Sequence, residues 1–120
     1  MSLNNPGLTK TFIAADAIGR YRVVAIAAGD NEVKQAASVS DPLLGVSAEP
    51  GDVAAGARVD VYFNGIVEVE AGAVIAKGAE LTVNADGKVV TATSTNERIG
   101  RALAAANADG DVISIEINKF

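Results

Sequence analysis

A two-residue periodicity, broken every few residues by Gly, Asn or Asp, constrains this 120-residue chain more than any other feature. In Arg58-Val59-Asp60-Val61-Tyr62-Phe63 apolar and polar residues alternate. An extended backbone there places Val59, Val61 and Phe63 on one face and Arg58, Asp60 and Tyr62 on the other. Asn64-Gly65 follows directly, a pair that tolerates the positive φ of a tight turn. Ile66-Val67-Glu68-Val69-Glu70 then alternates again. The spacing predicts a hairpin over 58–70, with Val67 and Val69 inward and both glutamates in solvent.

The same device recurs along the chain. Leu81-Thr82-Val83 leads through Asn84-Ala85-Asp86-Gly87 into Lys88-Val89-Val90-Thr91. Arg98 to Leu103 leads through Asn107-Ala108-Asp109-Gly110 into Val112 to Ile117, and Tyr21 to Ala27 turns at Gly29-Asp30-Asn31 into Val33 to Ala36. The Ala-rich stretches 52–57 and 71–79 are interrupted by Gly56, Gly72 and Gly78, which weaken any helix, so both read as loops. A faint echo links them. Ala54 to Val61 resembles Ala76 to Val83, each with a Gly three residues before an apolar strand position. Short strands separated by regular turn signals predict an all-β fold, a small barrel or sandwich of consecutive hairpins. The length suits one domain, residues 9–120. Residues 1–8, with Leu3, Asn4, Asn5, Pro6 and Leu8, have no periodicity and read as an extended arm that orders against a partner, or as a frayed end.

One stretch departs from the alternation. In Tyr21-Arg22-Val23-Val24-Ala25-Ile26-Ala27 both alternating sets are apolar after Arg22. Such a strand is covered on both faces, as a central strand of the core or in a contact between subunits. Tyr21, Val23 and Ala25 are therefore candidate contact residues, together with the arm.

Composition narrows the function. A net charge of −5 and scattered basic residues oppose nucleic-acid binding, which needs a cationic surplus. The absence of His and Cys removes imidazole and thiolate chemistry, the usual zinc sites and disulfides. No apolar run is long enough to span a bilayer as a helix. Glu68 and Glu70 share one face of a strand, but that face is the solvated side of the alternation. Asp109 and Asp111 flank a turn glycine without the further oxygens a calcium site requires. Ser38 and Ser40 have no base to activate them. No catalytic, cofactor-binding or metal-binding residue is expected, and the chain does not read as an enzyme. Apolar residues make up 49% of the chain, largely Ala and Val, and such small side chains suit close, broad packing between subunits.

The segment from Val69 to Leu81, with Lys88 after Asp86-Gly87, is similar to biotinyl and lipoyl carrier domains. The residues around Lys88 depart from the motifs of both carriers.

As a whole, the order of features resembles the capsid cement (head-decoration) proteins of tailed bacteriophages. The residues carrying it run from Thr11-Phe12-Ile13-Ala14-Ala15 through the strand at Tyr21 to Asp41-Pro42-Leu43-Leu44-Gly45-Val46-Ser47. They continue with Asn64-Gly65-Ile66-Val67, Lys77-Gly78-Ala79-Glu80-Leu81 and Asp86-Gly87-Lys88-Val89, and end with Ile99-Gly100-Arg101-Ala102-Leu103 and Val112-Ile113-Ser114-Ile115. The resemblance implies a β-tulip-like barrel, made in the bacterial host cytoplasm, that binds the outside of a phage head and cements the major capsid protein. It implies a homo-oligomer, a trimer ahead of a dimer, with no nucleic-acid or membrane partner and no cofactor. A generic β-barrel assembly module is the alternative, with the carrier domain behind it.

Overall fold

The computed structural model describes residues 5–6, 9–49, 51–93 and 96–118. Eleven strands account for its regular structure: β1 (Asn5–Pro6), β2 (Thr9–Ala14), β3 (Val23–Ile26), β4 (Glu32–Gln35), β5 (Leu43–Ser47), β6 (Arg58–Tyr62), β7 (Asn64–Glu70), β8 (Glu80–Val83), β9 (Val89–Thr91), β10 (Gly100–Ala102) and β11 (Val112–Asn118). No helix forms among the described residues, as the glycine-broken Ala stretches predict. The first sheet closes into a five-stranded barrel in the order β2-β4-β3-β5-β6, and the second runs β1-β7-β11-β10-β8-β9. The second sheet also curls, since Ala71, just past β7, bridges Val89 of β9.

Three expected hairpins are present. β3 pairs with β4, β8 with β9 and β10 with β11, all antiparallel. The hairpin over 58–70 is not formed. Its alternation holds, because Val59, Val61, Phe63, Val67 and Val69 are all buried. However, β6 pairs with β2 and β5, whereas β7 pairs with β11 along its whole length. The chain crosses from barrel to second sheet at Phe63, whose ring lies in the barrel core while Val67 and Val69 lie in the other core. Asn64-Gly65 is therefore the first part of β7. The positive φ of Gly65 (97°) bends that strand's start, where Gly65 faces Ile117 and Pro6.

The double-apolar stretch is explained within one chain. Val24 faces the barrel interior beside Val33, Leu44, Val59 and Val61. Val23 and Ala25 face the opposite way, into a core shared with β7 to β11 that includes Ile113, Ile115 and Ile117. β5 repeats the arrangement, with Leu44 in the barrel and Leu43 and Val46 in the shared core. β3 and β5 thus form a common wall with apolar side chains on both faces. Burying a Val or Leu stabilises by about 1.5–3 kcal/mol, so this wall joins the two sheets strongly.

The sequence echo at 54–61 and 76–83 corresponds to a repeated backbone unit, one copy per sheet. In the barrel, Ile18 and Val53 exchange two hydrogen bonds, Gly56 N–H donates to the Ala14 carbonyl and Ala14 N–H donates to the Ala57 carbonyl. In the second sheet, Ile75 and Ala106 exchange two, Gly78 N–H donates to the Ala102 carbonyl and Ala102 N–H donates to the Ala79 carbonyl. The sequence offsets are the same in both. Gly56 (φ 84°) and Gly78 (φ 89°) occupy the same left-handed position, which a residue without Cβ adopts at no steric cost. Each glycine leads into a strand, β6 or β8, that pairs antiparallel with the strand ending in the bonded alanine, β2 or β10.

Candidate interaction surfaces

The acidic residues singled out from the sequence are structural. Glu70, at the end of β7, accepts from Arg22 Nη1 at 2.8 Å and lies 3.2 Å from Lys88 Nζ. Lys88 Nζ also donates to Asp109 Oδ1 at 2.9 Å. This half-buried chain of charges ties the residue before β3, the end of β7, the start of β9 and the 107–110 turn together. Partial burial alone pushes the Glu70 carboxyl up, but the hydrogen bonds and charges of Arg22 and Lys88 outweigh it and hold it below its usual range. The hydrogen bonds of Lys88 to Asp109 and then to Glu70 push its ammonium up. Glu68 lies on the outer face of β7 opposite Ser114.

Lys88 is consequently not presented at a hairpin tip as a carrier lysine must be, because it follows the turn and folds into the ion pairs. Asp111 accepts from the N–H groups of Asn107 and Ala108, and Asp41 from those of Ala37 and Ser38, so both carboxylates close turns. No group of residues suited to hold a metal ion occurs among the described residues.

Besides exposed Val39, surface suited to a partner is found among the described residues in three places. The first comprises the loops at the shared end of β7, β10 and β11, where Val74 (71% exposed), Leu103 and Val112 project into solvent. The Ile75–Ala106 bridge brings two of these loops side by side. The second is Ile26, exposed at the end of β3. The third is a shallow groove of about 260 Å³ beside β2, lined by Lys10, Thr11, Phe12, Ile13, Asn31 and Arg58. Lys10 Nζ stands 4.8 Å from the centre of the Phe12 ring and 3.4 Å from Asn31 Oδ1. Phe12 in turn meets Phe63 edge-on, with ring centroids 5.8 Å apart. Sequence reading did not single out this groove, because β2 and Asn31 are far apart in the chain. The run of Lys10, Phe12 and Ala14 along the inner face of β2 was its available signal.

The candidate contact residues separate. Asn5 and Pro6 form β1, which pairs with Ile66 and Gly65 at the edge of the second sheet. Leu3, Asn4 and Leu8 lie outside the described residues. Tyr21 is half-buried in a left-handed conformation (φ 55°), and its carbonyl accepts from Glu70 N–H. Val23 and Ala25 are corrected: both are fully buried inside the chain, because the second sheet covers that face of β3, and neither is open to another molecule.

The described chain is two small β-layers joined by an apolar wall, with apolar side chains exposed at loop tips. A family model for phage cement proteins matches residues 4–117. The chain belongs to the phage cement protein family. The fold of this cement protein is also found in a solved structure, the N base of head fiber gp8.5 in bacteriophage phi29. The two are 26% identical and superpose with a TM-score of 0.70, covering 93% of this chain and 94% of that one. No curated protein matches the chain significantly. Family and neighbour together make this cement protein a structural component of a phage virion.

Proposed function

We propose that the protein binds the outer surface of a phage head and reinforces the lattice of major capsid protein without catalysing a reaction. The observation that carries this reading is the family match across 4–117, which takes in both sheets and the wall between them. The acidic balance supports an exterior position, since a net charge of −5 keeps a decoration soluble and away from DNA. The protein acts as a homo-oligomer, a trimer ahead of a dimer, and it is made in the host cytoplasm before it joins the head. The arm at Leu3, Asn4, Asn5, Pro6 and Leu8, together with Tyr21, is the proposed contact region, with the major capsid protein as partner.

The test adds purified protein to expanded, undecorated heads and measures co-sedimentation and the temperature at which the heads rupture. Binding with a raised rupture temperature is expected. Heads that neither bind the protein nor gain stability overturn the reading. Deleting residues 2–8 is expected to weaken binding while leaving the melting temperature of the free protein nearly unchanged. β1 contributes only a two-residue pairing at an edge, so little stability depends on it.

A further inference from the structure

β2 is longer than the strand that closes the barrel against it, and this leaves a length of backbone edge without a partner among the described residues. β4 pairs with β2 only at Ile13 and Ala14. It can begin no earlier than Glu32, because the chain leaving β3 turns through 29–31, with Asn31 in a left-handed conformation (φ 58°). The direction of the β2 amides is known from their bonds. Ala14 N–H points to Ala57 on the β6 side, whereas Ile13 N–H and Ala15 N–H point to the Asn31 and Val33 carbonyls on the β4 side. By the alternation of a strand, Thr9 and Thr11 aim their N–H and C=O groups to that same side, ahead of the start of β4. No backbone group among the described residues meets them there. The repeated unit shows the contrast, since in the second sheet β11 covers the corresponding strand, β10, from Gly100 to Ala102.

The open edge runs along the groove, and the groove is cationic. Lys10 and Arg58 are both exposed, and neither has a carboxylate within ion-pair distance among the described residues; Lys10 shares the face of Phe12, whereas Arg58, opposite Ile13 in the β2–β6 register, lies on the other face. Asp60, two residues along β6 from Arg58, accepts a hydrogen bond from Thr11 Oγ1 at 2.5 Å. Phe12 and Ile13 add half-buried apolar surface. Free backbone groups in strand geometry, a side-chain pocket beside them and a cation on each face make up the recognition elements for strand addition.

The geometry points to β2 as a docking edge for an extended, acidic segment of another protein, which adds as a strand beside Thr9 to Thr11 and sets the carboxylates of one of its faces against Lys10 or, in the register shifted by one residue, against Arg58 on the other face. Backbone bonding to Thr9 and Thr11 supplies register, and the two cations select against basic segments.

The experiment records backbone amide spectra and hydrogen exchange of the full chain during titration with two short capped peptides, one alternating Val with Glu and the other Val with Lys. The Val/Glu peptide is expected to shift the Thr9 and Thr11 amides and slow their exchange by about tenfold or more, with β10 amides unchanged. The Val/Lys peptide is expected to leave all of them unaltered. The K10E/R58E double variant, with an otherwise unchanged spectrum, is expected to lose the response to Val/Glu. Failure of Val/Glu to protect Thr9 and Thr11 overturns the inference, and so does equal binding by the two peptides. Protection of these amides that rises with protein concentration and no peptide overturns it too, because a second copy then occupies the edge. No head particle enters this experiment, so its failure is distinct from a failure to bind heads.

Discussion

The two copies of the repeated backbone unit share their hydrogen bonds and differ in what surrounds them. In the second sheet the unit is enclosed. β11 flanks β10, Ile75, Leu81, Ile113 and Ile115 fill the interior, and the Glu70 ion pairs fasten the end of β7 to the start of β9. In the barrel the unit is partly open. The interior is smaller and is completed by the Phe12–Phe63 contact, and among the described residues half of one edge of β2 has no strand beside it. Identical local bonding therefore gives a sealed scaffold in one place and an accessible edge in the other. The deciding factor is the length of the neighbouring strand, not the unit itself.

Four measurements can break or sharpen that contrast. The largest effect is expected from Phe63→Ala, which removes a buried ring and its edge-on contact with Phe12 and should cost about 3–5 kcal/mol in urea unfolding. Because β3 and β5 line both cores, barrel and sheet should still unfold in one transition. Separate transitions for the two sheets would show that the common wall does not couple them.

Glu70→Gln should cost about 1–3 kcal/mol at neutral pH, the range for hydrogen bonds to charged groups. The folded Glu70 carboxyl titrates below its ordinary value of 4.5, so its contribution is complete above that pH. It is then lost as pH falls through the folded value. Melting curves of wild type and Glu70→Gln should accordingly converge from about pH 4.5 downward. A constant gap between them would mean that the carboxyl charge is not what fastens β7 to β9.

Gly56→Ala and Gly78→Ala test the equivalence of the two units directly. Both glycines have positive φ, and neither has another group within 4 Å of the added Cβ, so only backbone strain is introduced. Each change should cost about 1–2 kcal/mol, and the two costs should agree. Unequal costs would show that the surroundings reach into the unit after all.

The smallest effect is expected from Lys10→Glu and Arg58→Glu singly. Both side chains are exposed and make no ion pair among the described residues, so each should shift stability by no more than about 0.5 kcal/mol in thermal melts. A large loss would make the cationic groove part of the barrel's own support.

Much of the fold was legible in the sequence because a strand's side-chain period is local. Val59, Val61, Val67, Val69, Ile113, Ile115 and Ile117 are buried where alternation places them, and Asn84–Gly87 turns β8 into β9 as its composition predicts. The echo around Gly56 and Gly78 was also visible, since it depends on a backbone conformation that glycine favours. The candidate site was less legible. Periodicity marks Tyr21 to Ala27 as covered twice but does not name the cover, and the structure supplies it from within the chain for Val23 and Ala25. The cationic groove gathers Lys10, Asn31 and Arg58 from three separated segments.

By itself the sequence determined the all-β class and the inward and outward residues of most strands, because each depends on neighbours in the chain or on residue type alone. Tertiary structure decided which strands pair. Asn64-Gly65 is locally suited to a hairpin, yet burying Phe63 in one core and Val67 in another separates β6 from β7, since two apolar interiors outweigh the preference of one turn. Tertiary pairing likewise decided how little of β2 meets β4, only Ile13 and Ala14, because the chain between β3 and β4 turns at Asn31.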